Sequence, residues 1–372
     1  MRIDRIDVHW ARVPMAQVFT TSYGDQSVTD TILVRMEGGG HVAWGETCPQ
    51  YVPGYSAEHT VAVFHTLREH LAPRIVGQDL QSAEDLLSRL AFVKGNQFAR
   101  AGLEIAWWVL DAKRRGVPLH VALGGKGDSV AVGADFGVQD SIDVLLAKIA
   151  RAIDEGFPRI KLKFRPGWDL PMVDAVRSAF PEFPFHVDCN AAYSPADTEL
   201  FVKLDRYRLA MIEQPLADDG MSLINHADLQ RQMETPICLD ESALSIAHVQ
   251  AAIRLGSCRV VNIKMARVGG LAASRDIQAL CAEHAIPCWV GGMLETAVGG
   301  AICAELATLP NFTYAGDIFP SSYFYADDLG KPEIEMSGPG RIATSTVPGI
   351  AQEPDPELLA KWTVAHASFT AT

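Results

Sequence analysis

The sequence has little that would tie the chain to nucleic acid or to a membrane. Its 372 residues carry 32 lysines and arginines against 45 aspartates and glutamates, which gives a net charge of −13. This excess of acid argues against nucleic acid or an anionic membrane as a partner. No uninterrupted apolar run approaches the ~18 residues of a membrane-spanning helix. We therefore expect no membrane segment. The start, Met1-Arg2-Ile3-Asp4-Arg5, is too charged for a signal peptide.

Cysteine is also scarce, and its pattern excludes a disulfide framework. The seven cysteines are odd in number and none belongs to a Cys-x-x-Cys motif. Reduced thiols in a cytoplasmic protein are therefore expected. Apolar residues make up 48% of the chain and charged residues 21%, as in a globular protein with ample core.

Short apolar runs of strand type recur from the middle of the chain onward, at intervals of 23 to 29 residues. They begin near Val130, Arg159, Phe185, Met211, Ile237, Val260, Pro287 and Tyr314. Amphipathic helical patterns such as 141–155 lie between them. Eight such units predict an α/β fold with a closed (β/α)₈ barrel of the TIM type rather than a doubly wound sheet.

A charged residue closes five successive runs, in the order Lys163, Asp188, Glu213, Asp240 and Lys264. Residues at the ends of parallel barrel strands converge on one mouth, where the active sites of this fold lie. Three carboxylates gathered there repel one another unless a cation neutralises them, and an all-oxygen ligand set suits Mg²⁺, with Mn²⁺ as a substitute. We predict Asp188, Glu213 and Asp240 as metal ligands.

The lysines of the second and sixth strands, Lys163 and Lys264, would stand on opposite sides of that metal. A lysine close to a divalent cation loses its proton more easily and can act as a general base or acid. Lys161 lies two residues before Lys163 and so on the same strand face. It would either polarise the substrate or tune its neighbour. The predicted partner is a small-molecule carboxylate.

The first 126 residues lack the barrel rhythm and predict an α+β capping domain. The predicted strands are 3–13, 31–37 and 41–47, and the predicted helices are 57–71, 82–90 and 97–116. We assign 127–320 to the barrel and 321–372 to a tail, ending in a short helix near 356–366, that packs back on the capping domain.

The charged strand ends resemble those of the enolase superfamily, and Lys161-x-Lys163 with Lys264 is similar to its muconate-lactonizing subgroup. The seventh strand, 287–292, lacks the histidine that mandelate racemase uses. Within the subgroup, the chain resembles o-succinylbenzoate synthases and N-acylamino acid racemases nearly end to end. The segments that carry this are 161–169, 267–270 and 291–296, with Gly45-Glu46, Gly54-Tyr55 and Gly316-Asp317.

The resemblance implies a Mg²⁺-dependent enzyme that removes the proton α to a substrate carboxylate. The metal-stabilised enediolate would then be reprotonated, giving racemisation or epimerisation, or would lose a β-leaving group. A cycloisomerase, a dipeptide epimerase or a non-catalytic metabolite-binding protein are the alternatives. The family commonly forms homo-oligomers, so one is expected here.

Further candidates for substrate contact follow from the same resemblance. The stretches 19–25 and 49–55 match loops that close the barrel mouth, which makes Phe19 and Tyr55 candidates beside ordinary loop packing. Asn190 lies two residues after a predicted ligand. Gly291 and Gly292 would let backbone approach a ligand, and Met293 and Glu295 belong to the same motif.

Asp135 departs from the family pattern. The resembling enzymes usually have a small hydroxyl residue there, near the distal end of the substrate. An inward carboxylate would repel a succinyl carboxylate and favour a cationic or hydrogen-bond-donating group.

Overall fold

The computed structural model describes residues 1–21 and 24–372, so Ser22 and Tyr23 of the predicted specificity stretch lie outside the described residues. The strands of the amino-terminal sheet are β1 (Ile3–Thr21), β2 (Gly24–Gly38) and β3 (His41–Thr47). The predicted hairpin between β2 and β3 turns at Gly39 and Gly40, where φ is 59° and 78°, values that glycine adopts without strain.

One expectation about this sheet was wrong. Residues 19–21 and 24–25 of that stretch belong to strands rather than to a loop, because Phe19 pairs with Gln26 and Thr20 with Asp25 in the β1–β2 ladder. Thr20 Oγ1 also donates to Asp25 Oδ1 at 2.7 Å. β-Branched residues and this cross-strand bond extend both strands beyond their apolar core.

Helices cover one face of the sheet. They are α1 (Thr60–Thr66), α2 (Ala72–Ile75), α3 (Ala83–Leu90), α4 (Gln97–Arg115) and α5 (Leu119–Leu123), with a π-helical turn at Leu67–Leu71. Helix α4 packs closely on β3, because a Cβ at Gly45 would lie 2.5 Å from the backbone nitrogen of Ala106. Gly116 ends α4 with φ 69°, as its sequence predicted.

The barrel strands run parallel and in chain order around the sheet. They are β5 (Ala134–Phe136), β6 (Ile160–Lys163), β7 (Phe185–Asp188), β8 (Ile212–Glu213), β9 (Ile237–Leu239), β10 (Val260–Ile263) and β11 (Cys288–Val290). Between and after them lie α6 (Ile142–Asp154), α7 (Leu170–Ala179), α8 (Thr198–Val202), α9 (Ser222–Gln230), α10 (Ile246–Leu255), α11 (Met265–Val268), α12 (Leu271–Glu283) and α13 (Ala297–Leu306).

The eighth position of the barrel is filled by residues 312–317. On one side, the backbone N–H of Asp317 donates to Val290 of β11 at 2.9 Å; on the other, Gly133 N–H donates to Gly316 at 3.0 Å. These bonds close the ring, and the predicted modified (β/α)₈ barrel is confirmed. The first strand differs in detail. Strand β4 (Ser129–Ala131), near the predicted start at Val130, pairs outside the barrel with β14 (Arg341–Ala343).

The lower part of the barrel is filled by a cluster of hydrophobic side chains. Met211, Cys238, Val260 and Trp289 form a buried cluster, with Tyr314 packed against it. Since strand side chains alternate between faces, residues two positions later on the same strands point to the same interior. The polar ends of the strands therefore lie directly above an apolar floor.

After the barrel, the chain returns to the amino-terminal sheet. Short strands β12 (Gly330–Lys331), β13 (Met336–Gly338) and β15 (Glu353–Pro354) precede α14 (Pro356–Trp362) and β16 (Thr363–Thr370). The predicted final helix is thus four residues too long, because Thr363 starts an alternating strand that pairs antiparallel with β1. None of the described helices has the length and apolar character needed to cross a membrane.

Candidate active site

The barrel brings the five predicted charged residues together at its mouth. Lys163 pairs in register with Asp188 on the next strand, and Asp188 with Glu213 on the one after. Asp240 directly follows β9, and Lys264 is the residue before α11. Each of these five side chains is at least nine-tenths buried. Their mutual contacts therefore act with little screening by water.

Lys161 is surrounded by carboxylates. Its Nζ donates to Asp317 Oδ2 at 2.7 Å and lies 3.3 Å from both Asp188 Oδ2 and Glu213 Oε2. Burial alone would lower the pKa of Lys161, but these carboxylates, Asp317 foremost, hold it well above its ordinary value. Lys161 therefore stays protonated and acts as a fixed positive charge.

Lys163 and Lys264 face the same cavity from strands two and six, which are opposite one another in an eight-membered barrel. Lys163 Nζ donates to Asp188 Oδ2 at 2.7 Å, and Lys264 Nζ lies 2.9 Å from Asp240 Oδ2. Burial lowers the pKa of Lys264, but Tyr55 and nearby carboxylates raise it overall. Each lysine thus rests against one predicted metal ligand.

The donor chemistry of Asp188, Glu213 and Asp240 fits a hard divalent cation. Glu213 Oε2 and Asp240 Oδ2 are buried and accept no hydrogen bond from any described residue, and each has a lysine as an ion-pair partner. Within residues 1–21 and 24–372, no three His, Cys, Asp or Glu side chains stand close enough to hold a metal ion as they lie. The ammonium groups of Lys163 and Lys264 rest on Asp188 and Asp240, and these two groups would have to turn aside for a metal to bind.

Two of the carboxylates are fixed by groups behind them. Asn262 Nδ2 donates to Glu213 Oε1 at 2.6 Å. Burial raises the pKa of Glu213, but Lys161 and His186 pull it well below the ordinary value. Arg267 donates to Asp240 Oδ1 and, at 2.6 Å, to the backbone oxygen of Asn262. Glu213 is therefore held ionised, and both carboxylates are held in a fixed orientation.

The lysines open into a cavity of about 540 Å³. It is lined by Phe19, Gln26, Gln50, Tyr55, Asp135, Lys161, Lys163, Asn190, Lys264, Gly292, Met293, Leu294, Asp317, Phe319 and Phe324. Six of the eight predicted substrate residues are in this list. Burial raises the pKa of Asp135 there, although Lys163 and Lys161 oppose the shift.

Gly291 and Glu295 do not line this cavity, contrary to the sequence-based prediction. Gly291 packs against the barrel interior, since a Cβ there would lie 2.1 Å from Asn262 Oδ1. Glu295 folds back to accept the backbone N–H of Met293 at 2.8 Å. Burial, with a contribution from Glu46, raises the pKa of Glu295 to about 7.

Sequence reasoning missed Asp317 and Arg159 as site residues. Arg159 donates to Asp317 Oδ1 at 2.5 Å from the start of β6, below Lys161. Asp317 follows the eighth barrel segment, so the rule that found the other strand-end charges also applies to it. Arg159 precedes its strand and carries no such signal.

Two carboxylates of the amino-terminal domain cap barrel helices. Glu104 of α4 accepts the backbone N–H groups of Leu271 and Ala272 at 2.7 and 2.8 Å, at the start of α12. Glu46 of β3 accepts those of Thr296 and Gly299 at 3.0 and 2.6 Å, at the start of α13. The helices that follow the sixth and seventh strands are therefore held by the other domain.

Comparison with known proteins agrees with this geometry. Residues 2–124 match the family described as mandelate racemase / muconate lactonizing enzyme, N-terminal domain, and residues 144–358 match the enolase C-terminal domain-like family. The chain is 41% identical to an o-succinylbenzoate synthase from Geobacillus kaustophilus, over 98% of this chain and 96% of the relative. It is 40% identical to an N-succinylamino acid racemase from Amycolatopsis sp., over 98% of both chains.

A solved member of the enolase superfamily from Listeria innocua superposes with a TM-score of 0.95 at 34% identity, covering 100% of this chain and 99% of that one. The resemblance based on Lys161, Lys163 and Lys264 is confirmed at the level of the family. The chain belongs to the mandelate racemase / muconate lactonizing enzyme family and is an enzyme of the enolase superfamily.

Proposed function

We propose that the protein is a Mg²⁺-dependent isomerase or lyase that removes the proton α to a substrate carboxylate. The observation that carries the proposal is the placement of Lys163 and Lys264 on opposite sides of one cavity, at 2.7 and 2.9 Å from Asp188 and Asp240. A substrate between them presents one face of its α-carbon to each lysine. The seven buried free thiols are consistent with a cytoplasmic location.

Asp188, Glu213 and Asp240 would hold the cation, whose charge would stabilise the negative charge that develops on the substrate carboxylate. Lys163 and Lys264 lose their ion partners when Asp188 and Asp240 are engaged in this way. Each lysine then gives up its proton more readily and can serve as the base. Lys161, held protonated among four carboxylates, contributes positive charge rather than proton transfer.

The fate of the enediolate decides the reaction name. If the opposite lysine returns a proton, the product is the epimer, which is the reaction of an N-acylamino acid racemase. If a β-leaving group departs, the product is an alkene, which is the reaction of an o-succinylbenzoate synthase. An o-succinylbenzoate synthase and an N-succinylamino acid racemase are similar to this chain at 41% and 40% identity, and the two-lysine geometry supports proton abstraction in both reactions.

The test is exchange of the α-proton, followed by proton NMR in D₂O with Mg²⁺ and N-acylated L- and D-amino acids. Because the lysines face opposite sides, Lys163→Ala should abolish exchange of one enantiomer and Lys264→Ala that of the other. The double variant should exchange neither. Lys148→Ala, at an exposed position on α6, is the matched control and should retain both. Exchange that survives in the double variant would refute the assignment of these lysines as bases.

A further inference from the structure

Three lysines supply the cationic side chains that line the cavity in the part of the chain that the structure describes. Lys161, Lys163 and Lys264 are the lysines that line it, and no arginine does so among the described residues. Ser22 and Tyr23, which lie outside the described residues, carry no positive charge either. A second carboxylate on the substrate would therefore find no cationic partner in this lining other than the lysines of the reacting centre.

The charges buried around the three lysines nearly cancel. The cations are five, Lys161, Lys163, Lys264, Arg159 and Arg267, and the carboxylates are six, Asp135, Asp188, Glu213, Asp240, Glu241 and Asp317. With every group ionised the balance is one net negative charge. A divalent cation would turn it into one net positive charge, and into zero when one lysine is the neutral base. Such a site carries no surplus positive charge for a second carboxylate.

Asp135 gives the cavity an additional carboxylate. Its side chain is 7% exposed, and its Oδ2 lies 3.8 Å from Lys161 Nζ. Its Oδ1 is buried and accepts no hydrogen bond from any described residue, since Tyr323 donates at 2.6 Å to the backbone oxygen instead. A buried acceptor of this kind is costly unless a ligand supplies a donor.

Part of the remaining wall is aromatic, and Gln26, Gln50 and Asn190 line the rest of it. Phe19 meets Phe324 edge-on with ring centroids 5.6 Å apart, and Phe319 meets Phe324 in the same way at 5.0 Å. Met293 and Leu294 extend this wall along the cavity. Such a surface contacts an apolar group favourably and would leave a charged one desolvated.

We propose that Asp135 is a specificity-determining residue that selects substrates in which the reacting carboxylate is the only one. The preferred substrate is an N-acyl amino acid with an uncharged acyl group, an N–H donor for Asp135 Oδ1 and an apolar side chain against the aromatic wall. This rests on the proposed α-proton abstraction and specifies its substrate class.

The test compares two compounds of nearly the same shape, N-succinyl-phenylalanine and its distal carboxamide, N-succinamoyl-phenylalanine, which is uncharged at that end and carries N–H donors there. At pH 8 with Mg²⁺, the wild-type protein should exchange the α-proton of the amide with kcat/KM at least about ten-fold higher. Asp135→Asn, which removes the charge and keeps the shape, should reduce this preference several-fold. Asp140→Asn, at an exposed position just beyond β5, should leave the ratio unchanged.

Calorimetric titration with the racemic compounds gives a second readout, since a racemate produces no net turnover heat. The affinity of the wild-type protein for the amide should exceed that for the succinyl compound. In Asp135→Asn the difference between the two affinities should be smaller. Asp135→Ser serves the same purpose if the Asn variant is insoluble. Exchange of both compounds with an equal or reversed preference would overturn this inference alone. Exchange of neither would overturn the racemase form of the proposed function and this inference with it.

Discussion

Tyr55 of the amino-terminal domain donates its hydroxyl to Oδ1 of Asp240 in the barrel, at 2.9 Å. Lys264 Nζ lies over the ring of the same tyrosine, 4.5 Å from its centroid, and Arg267 donates to the tyrosine oxygen at 2.8 Å. One side chain of the capping domain thus touches a predicted metal ligand and a predicted base. The site is complete only when the two domains are together.

Removal of this hydroxyl should impair the reaction more than the fold. A hydrogen bond to a charged group contributes ~1.5–3 kcal/mol, so Tyr55→Phe should lower kcat/KM for α-proton exchange by about ten-fold or more. Tyr51→Phe, on the same stretch but half exposed, is the control and should change little. Unchanged kcat/KM in Tyr55→Phe would mean that the bond does not orient Asp240.

Lys161 should be necessary for stability as well as for reaction. Lys161→Met leaves Asp317 and Glu213 without their nearest lysine, and a broken buried ion pair typically costs ~3–5 kcal/mol. Urea unfolding in EDTA should show that Lys161→Met lowers the free energy of unfolding by this amount. Lys126→Met, at an exposed position, should lower it hardly at all. The double variant Lys161→Met/Asp317→Asn should lose less than the two single variants together. Strict additivity would indicate that the pair is not coupled.

Binding of Mg²⁺ should raise the thermal stability of the protein. An ion that binds only the folded state stabilises it by ~2.7 kcal/mol at one hundred times its dissociation constant. The melting temperature should therefore increase with Mg²⁺ and return to its starting value with EDTA. Asp240→Asn should weaken this response strongly, and Asp218→Asn, an exposed aspartate, should retain it. An equal response in all three proteins would place the bound ion elsewhere.

Glu104 should make the stability depend on pH near neutrality. Burial raises its pKa from an ordinary 4.5 to about 7, although backbone N–H groups of α12 oppose the shift. Between these values the folded protein binds more protons than the unfolded chain, so the free energy of unfolding falls as pH rises through this window. The pKa shift of Glu104 corresponds to a decrease of roughly 3 kcal/mol in the free energy of unfolding across this window.

Wild-type protein should therefore lose more stability between pH 5 and pH 8 than Glu104→Gln does, by an amount of that order. Chemical unfolding at both pH values measures the difference. Glu84→Gln, on the exposed face of α3, provides the control for general titration effects. Parallel pH profiles for wild type and Glu104→Gln would contradict the prediction.

Most of the barrel could be predicted from the sequence, because each βα unit repeats one local pattern. Asp188, Glu213 and Asp240 could be found from strand ends alone, since parallel strands carry their final residues to the same edge. Asp317 obeys that rule but follows a segment held by isolated bridges rather than a regular strand. Glu295 is charged and lies in a motif of the site, yet its carboxylate accepts a hydrogen bond from the nearby backbone N–H of Met293. Such competition between nearby partners is not visible in a one-dimensional pattern.

Contacts between the domains were the least predictable part. Glu46 and Glu104 are 250 and 167 residues away in sequence from the backbone groups that they bind. Nothing in the sequence around either residue indicates those partners. The final strand was also missed, because the helical run 356–362 masks the alternation that starts at Thr363. Long-range pairing with β1 decides its structure.

The two helix caps also bear on how the protein unfolds. If the amino-terminal domain detached, α12 and α13 would lose the acceptors at their first turns, and Glu46 and Glu104 would lose their donors. Neither half can therefore melt without removing buried hydrogen bonds from the other. The carboxyl-terminal strand adds a third link, since it joins the end of the chain to β1. We therefore expect opening of the capping domain to be part of global unfolding, with the two domains melting as one cooperative unit.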